Sequence, residues 1–292
     1  FSHFQNIPYW SNMLKKEGFS VDDYPYDPDL SALHHLLDEG WLWMLRFNDE
    51  RTSMGFVLHS TESYKKWQTE NIWNDLLTKY PTIQNIFQPA SLCDQPGKII
   101  RSGRLQRKLS HCFGPGWVAL PHTAGFVDPL FSTGIAYTLL GIEQIIPIIT
   151  KYWNNDAQLF QHFKEYELAV FEELSLIDYL IAGSYKTMNN FELFNTWSML
   201  YFAITVHYES YRLNGGSGGS FLHADHSDIR DLVQKSYQDL LKITDQGNHS
   251  KDDEQSIKEY TDLTRERIKP INTAGLMDPS VRNMYRHTAV RL

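Results

Sequence analysis

The residues best suited to chemistry lie in one short connection between a predicted strand and a predicted helix. An apolar run over residues 117–120 stops at Pro121, and an apolar pattern with helical spacing covers 132–153. Between them are residues that allow tight turns: Gly125, Asp128, Pro129 and Gly134. A helix N-terminus offers unpaired N–H groups and a positive dipole end, so the connection predicts an anion or nucleotide site. An ordinary strand–helix connection is the open alternative.

Several residues of this connection have candidate roles. Gly125 and Gly134 lack side chains where a ligand would approach the backbone. Ser132 or Thr133 could cap the helix. Asp128 could either accept a hydrogen bond from a sugar hydroxyl or cap the turn, and the sequence does not choose between these two roles.

Longer stretches around this connection resemble a known family. "AGFVDPLFSTGI" (124–135) is similar to the second flavin-binding motif of the flavin-dependent halogenases and their flavoprotein monooxygenase relatives. "EGWLWMLRF" (39–47) resembles the Trp-x-Trp strand of the halogenases, and "RTSMGFVL" (51–58) resembles the strand that follows it. "LQRKLSHCFGPGWVAL" (105–120) resembles the approach to the flavin motif. The resemblance covers about residues 1–150.

The resemblance implies FAD as the cofactor and a set of residues that would contact it: His122, Gly125, Asp128, Pro129, Ser132, Thr133 and Gly134. His122 stands where the family usually has an Asp that accepts a ribityl hydroxyl, and Pro121 replaces the preceding Gly. Thr133 and Gly134 match the positions whose backbone holds the halide in halogenases. Arg46 replaces the Pro that ends the strict halogenase signature.

A substrate or halide pocket is implied at Trp41, Trp43, Phe131, Thr133 and Gly134. Phe131 occupies the place of a catalytic Glu in tryptophan halogenases, whereas phenol- and pyrrole-type relatives carry an apolar residue there. This argues against indole as substrate. Trp41 and Trp43 share one face of a strand, where they would form either an aromatic wall beside the flavin or ordinary core packing.

The implied function is that of an FAD-dependent oxidoreductase. Reduced flavin, supplied in some members by a separate flavin reductase, would react with O₂ to give a hydroperoxide that halogenates or hydroxylates an apolar or aromatic small molecule. Two alternatives stay open. One is a degenerate, non-catalytic flavoprotein fragment that acts as a binding or scaffold protein. The other is a flavin reductase similar to geranylgeranyl reductases, which share a similar loop.

Two family parts do not occur in the sequence. No Gly-x-Gly-x-x-Gly fingerprint follows a predicted strand, and the catalytic Lys of the halogenases belongs to the same N-terminal portion. Both would lie upstream of Phe1. We therefore expect the chain to be the latter part of a longer flavoprotein.

Composition narrows the class of protein. The chain has 292 residues, 42% of them hydrophobic, which suits a folded globule. The net charge of −8 argues against a nucleic-acid partner. Only two cysteines occur, which favours the cytoplasm over an oxidising compartment. The longest apolar stretch, 135–149, is broken by Glu143 and Gln144, so no membrane span is expected.

The predicted fold is α/β (α+β mixed). It has a mixed-sheet substrate domain over 1–97 with a helical insertion, the C-terminal part of an FAD-binding domain over 98–154, and a helical region over 155–292. Strand patterns include a hairpin formed by 40–47 and 52–59. Helical patterns cover these residues: 63–80, 82–88, 132–153, 156–188, 191–213, 225–243 and 252–268.

One polar cluster lies outside the motif, at His223, Asp225, His226 and Asp228. The three-residue spacing of the histidines would suit a metal on one helix face. The residues that follow, however, read as a helix start with Ser and Asp at the cap. Capping is the preferred interpretation, and the sequence predicts no resident metal.

Overall fold

In the computed structural model the structure describes residues 1–21, 27–59, 69–244, 251–278 and 280–281. The chain forms two compact units, which divide after Arg104. The first unit begins at Phe1, and the second runs from Leu105 to Val281 within the described part. The predicted boundaries at 97/98 and 154/155 stay predictions.

The first unit is built on an antiparallel five-stranded sheet with the order β2-β3-β4-β1-β5. Its strands are β1 (Ser2–Gln5), β2 (Leu33–Leu37), β3 (Gly40–Arg46), β4 (Thr52–Leu58) and β5 (Ser91–Leu92). The predicted hairpin is correct: β3 and β4 pair along their lengths, and the Phe47 N–H donates to the Arg51 carbonyl to close the turn. Within the described residues of this unit, three α-helices accompany the sheet: α1 (Trp10–Lys16), α2 (Thr69–Lys79) and α3 (Pro81–Phe87).

The core of the first unit lies on one face of the sheet. Alternate strand residues, including Leu42 and Met44 of β3, point into it because successive side chains of a strand face opposite ways. Trp73 of α2 stacks on Phe4 with ring centroids 5.6 Å apart. The helix pattern predicted over 63–80 is described only from Thr69, since residues 60–68 lie outside the described part.

The second unit begins with short strands and continues as helices. The strands are β6 (Arg107–Lys108), β7 (Phe113–Gly114), β8 (Trp117–Val118) and β9 (Gly125–Phe126), with β6 paired to β9 and β7 to β8. The helices are α4 (Pro121–Ala124), α5 (Gly134–Tyr152), α6 (Asp156–Thr187), α7 (Phe191–Leu213), α8 (Ser227–Thr244) and α9 (Lys251–Ile268). Asparagine side chains cap two of them: Asn155 accepts from the Gln158 N–H, and Asn190 accepts from the Leu193 N–H.

The helices of the second unit pack closely around α6. Trp197 of α7 is fully buried, and its indole N–H donates to the Leu180 carbonyl at 2.7 Å. Gly183 makes room for this ring, because a Cβ there would lie 2.0 Å from Trp197 Cε2. Helix α7 also meets α9 through a buried hydroxyl pair, Thr196 and Thr261, at 3.0 Å.

The mixed α/β fold class is confirmed. Among the helices that the structure describes, none combines the length and apolar character needed to cross a membrane.

Candidate functional site

A pocket of about 400 Å³ opens beside the β9–α5 connection, entirely within the second unit. All seven residues predicted to contact a cofactor line it: His122, Gly125, Asp128, Pro129, Ser132, Thr133 and Gly134. The structure therefore brings these residues together around one cavity. The remaining lining comes from the same connection and from two helices and is mostly apolar: Phe126, Val127, Ile135, Tyr137, Thr138, Leu139, Leu174 and Ile177.

Helix α5 points its N-terminus at this pocket. The helix starts at Gly134 rather than at the expected Ser132, because Ser132 adopts a left-handed conformation with φ of 52°. Thr133 is the N-cap residue, and neither its side chain nor the Ser132 hydroxyl is bonded as a cap in the described structure. The first amides of α5 therefore keep their hydrogen-bonding capacity, and a positive partial charge, toward a ligand.

His122 lies in the four-residue helix α4, and its ring lies close to Gly134 at the start of α5. Its ring is half-buried, and its Nε2 is shielded from solvent with no hydrogen-bond partner among the described residues. Arg107 of β6 donates to the His122 carbonyl at 2.8 Å. Burial, and then the charge of Arg107, lower the pKa of His122, so the ring is neutral near pH 7.

Asp128 resolves part of the choice that the sequence left open. One carboxylate oxygen accepts from the Leu130 N–H at 2.9 Å, which forms a turn within the connection. The other oxygen accepts from the Tyr185 hydroxyl of α6 at 2.6 Å. Both contacts fix the shape of the connection, so Asp128 has a turn-capping role in the structure.

The glycines serve packing as well as ligand access. A Cβ on Gly125 would lie 2.3 Å from Leu174 Cδ1, which shows that β9 presses directly against α6. A Cβ on Gly134 would lie 3.1 Å from His122 Cε1. These glycines, which are predicted to let a ligand approach, also make room for a neighbour inside the site.

Phe131 lies in the connection but is not among the residues that line the pocket. Its ring stacks on Tyr201 of α7 with centroids 4.0 Å apart and an interplanar angle of 7°, and its carbonyl accepts from the Tyr201 hydroxyl. These two contacts anchor the connection to α7.

Trp41 and Trp43 belong to the first unit. Trp41 is buried, and its ring lies 6.1 Å from that of half-buried Trp43. Trp43 packs across the hairpin over Gly55, where a Cβ would lie 2.3 Å from the indole. Their indole rings thus form one aromatic row on β3, and a role in a substrate pocket stays a prediction.

The sequence does not predict three residues that support the site. Arg107 donates to the His122 carbonyl, and Tyr185 donates to Asp128. Glu173 of α6 is buried beside the pocket wall, where burial raises its pKa to about 7. A charged residue on the apolar face of a predicted helix is the signal that could have identified Glu173.

A family model described as tryptophan halogenase matches residues 27–197, which is more than half of the chain and includes the whole β9–α5 connection. The chain belongs to the tryptophan halogenase family. The resemblance to flavin-dependent halogenases is therefore confirmed.

Two curated halogenases are similar to this chain in sequence. Monodechloroaminopyrrolnitrin halogenase PrnC of Pseudomonas fluorescens is 25% identical over 183 residues, covering 60% of this chain and 32% of the relative. Tetracycline 7-halogenase of Kitasatospora aureofaciens is 27% identical over 180 residues, covering 56% and 31%. The matched region thus spans about a third of the length of these relatives.

A solved structure shares the fold of this chain. The crystal structure of halogenase PltM in complex with phloroglucinol and FAD has a TM-score of 0.72, with 22% sequence identity, and the match covers 94% of this chain and 58% of PltM.

Proposed function

We propose that the chain forms the flavin-contacting part of an FAD-dependent halogenase that acts on an apolar or aromatic small molecule. One observation carries the proposal: the uncapped start of α5 and the His122 side chain line one pocket built from the family motif. Membership of the tryptophan halogenase family supports it.

The residues present fit FAD. A neutral His122 can hydrogen-bond a ribityl hydroxyl in place of the usual carboxylate, because an imidazole offers one donor and one acceptor nitrogen. The apolar lining from Val127, Leu174 and Ile177 suits a planar ring. The amides at the start of α5 stabilise negative charge nearby. When bound, FAD would supply the oxygen-dependent oxidation that halogenation requires.

Thr133 and Gly134 are the residues of this chain that would hold a halide. Their backbone lies at the N-terminus of α5, where the helix dipole favours an anion. The Phe131 side chain is apolar and stacks on Tyr201, so it offers no carboxylate to a substrate. This favours substrates other than indole. Hydroxylation is the competing outcome, and bromide dependence separates the two.

The first test is FAD binding. We expect saturable quenching of flavin fluorescence by the wild-type protein. Ile135→Asp should weaken binding at least tenfold, because it adds a carboxylate beside the amides that would face the cofactor. The same change should stabilise the helix by about 0.3–1 kcal/mol, since negative charge is favourable in a first turn. Reduced stability together with reduced binding would instead indicate damage to the fold.

Ile146→Asp is the matched control for this test. Ile146 lies on the same helix, is also exposed, and is absent from the pocket lining. It should leave FAD affinity unchanged. If wild-type protein shows no saturable FAD binding, or if both Asp variants bind as wild type does, the proposed site is wrong and the scaffold alternative gains support.

The second test is turnover with chemically reduced FAD, O₂ and bromide, which removes the need for a partner reductase. Phloroglucinol is a suitable first aromatic, since halogenase PltM was crystallised with it. Brominated product indicates halogenation. Hydroxylated product that forms equally well without bromide would refute the halogenase assignment, and reduction of an unsaturated substrate would favour the reductase alternative.

A further inference from the structure

A second group of chemically capable side chains lies in the turn before α8. His223, Asp225 and His226 each offer one potential ligand atom, and these atoms lie within 4.8 Å of one another. Asp225 and His226 are exposed, whereas only 4% of the surface of His223 is exposed. Two nitrogen donors and one oxygen donor from a four-residue segment are a donor set suited to a divalent transition metal.

The buried ring of His223 has a nitrogen without a hydrogen-bond partner among the described residues. This nitrogen, Nε2, is shielded from solvent. A buried polar atom without a partner costs free energy, so it points to a missing ligand. The backbone of His223 is also left-handed, with φ of 56°. Glycine would adopt this conformation at no steric cost, yet the chain has an imidazole here.

A third histidine lies beside the group. His207 of α7 has its Nδ1 shielded and without a partner in the part of the chain that the structure describes. Its ring centroid is 5.2 Å from that of His223, and the His223 and His226 centroids are 4.7 Å apart. Metal–nitrogen bonds of about 2.0–2.1 Å place the rings of two ligating histidines about 5 Å apart in a tetrahedral site. The spacing of the His223 and His226 rings thus matches a shared metal, and the His207 ring lies beside this pair.

Asp225 can serve as a ligand although it also takes part in the turn. Helix α8 begins at Ser227, just after the group, but Asp225 accepts from the Ser220 N–H at 3.3 Å. That bond holds the turn and leaves the second carboxylate oxygen available.

We propose that His223, Asp225 and His226 form a site for Zn²⁺ or a similar divalent transition metal, with a fourth position for water that neighbouring His207 of α7 would hold. The metal would tie the turn before α8 to α7. The exposed Asp225 and His226 provide the entry path and can rotate inward to complete the coordination. This inference rests on residues outside the flavin pocket and is independent of the proposed function.

The test uses Zn²⁺ and Co²⁺ with the metal-free chain. We expect one Zn²⁺ per chain by titration calorimetry and visible Co²⁺ absorption bands typical of four or five ligands that include nitrogen. His226→Gln and Asp225→Asn should each lower Zn²⁺ affinity at least tenfold, because loss of even an outer-shell partner costs about 10–100-fold. Zn²⁺ should also raise the Tm of the wild-type protein.

His162→Gln is the matched control. His162 Nδ1 lies 3.2 Å from a carboxylate oxygen of Glu165 on α6. These two residues form another histidine–carboxylate pair, and the described residues show no third ligand beside them. The variant should bind Zn²⁺ as wild type does. Both test residues are exposed, so their variants should keep the wild-type circular dichroism spectrum. Binding that does not saturate at one Zn²⁺ per chain, or equal affinity in all four proteins, would overturn the proposal.

Discussion

Glu173 makes the free energy of unfolding depend on pH, and its surroundings give the sign and the size of the effect. The carboxyl group is 1% exposed. One oxygen accepts from the Phe221 N–H at 2.7 Å, and the other has no hydrogen-bond partner among the described residues. Burial is the largest influence on this group, and it raises the pKa from 4.5 to about 7 although the Phe221 N–H opposes it.

The sign and size of the effect follow from this difference. Between its unfolded and folded pKa values, Glu173 holds a proton only in the folded state. The free energy of unfolding therefore falls as pH rises through this window, by about 1.4 kcal/mol per pH unit. From about pH 5 to about pH 8, the expected loss is about 2–3 kcal/mol.

Glu173→Gln should remove this loss, because the amide cannot ionise and its oxygen can still accept from the Phe221 N–H. Urea unfolding of both proteins from about pH 5 to about pH 8 should show the variant gaining about 2–3 kcal/mol over wild type as pH rises. Glu172→Gln, at an exposed neighbouring position, is the control and should follow wild type. A stability difference between Glu173→Gln and wild type that stays constant with pH would refute the reasoning.

Three further outcomes are expected. Tyr185→Phe removes the hydroxyl that donates to Asp128, so it should lower the unfolding free energy by about 1 kcal/mol and weaken FAD binding several-fold. Unchanged affinity in the fluorescence titration would show that the connection does not depend on this contact. Gly141→Ala would place a Cβ 2.2 Å from the Pro121 ring, so denaturant unfolding should show a loss of about 1–3 kcal/mol, and wild-type stability would mean that α4 shifts freely. The Cys112 thiol is fully buried, and burial raises its pKa to about 12, so iodoacetamide should alkylate it only in denaturant; labelling of native protein, read by mass spectrometry, would contradict this burial.

Much of the fold was predictable because its elements carry strong periodicity. The β3–β4 hairpin alternates apolar residues around a polar turn, and Phe191–Leu213 is bounded by an Asn cap at one end and by Asn214-Gly215 at the other. The sequence does not predict helix α4, because four residues are too few to show helical periodicity. In the structure, Pro121 of this helix packs against Gly141. Helix α5 begins two residues later than predicted, because Ser132 has a left-handed conformation that its residue type does not predict.

The sequence predicts only the part of the candidate site that the motif itself forms. Local spacing in the motif identifies the connection that lines the pocket, since its residues are consecutive. The supporting contacts come from far along the chain: Tyr185 is 57 residues from Asp128, and no local pattern links them. His122 could be placed by resemblance, but its unpartnered Nε2 follows from the packing of Gly134 and Phe126 around its ring.

A single helix supports the pocket from behind. Leu174 and Ile177 of α6 form part of the wall, and Tyr185 of the same helix holds Asp128. Their spacings of three and eight residues place the three side chains within one face of an α-helix. Gly125 touches this face directly, so a shift of α6 would move β9 and the turn at Asp128 together. Substitutions on this face should therefore change flavin affinity even where they lie outside the family motif.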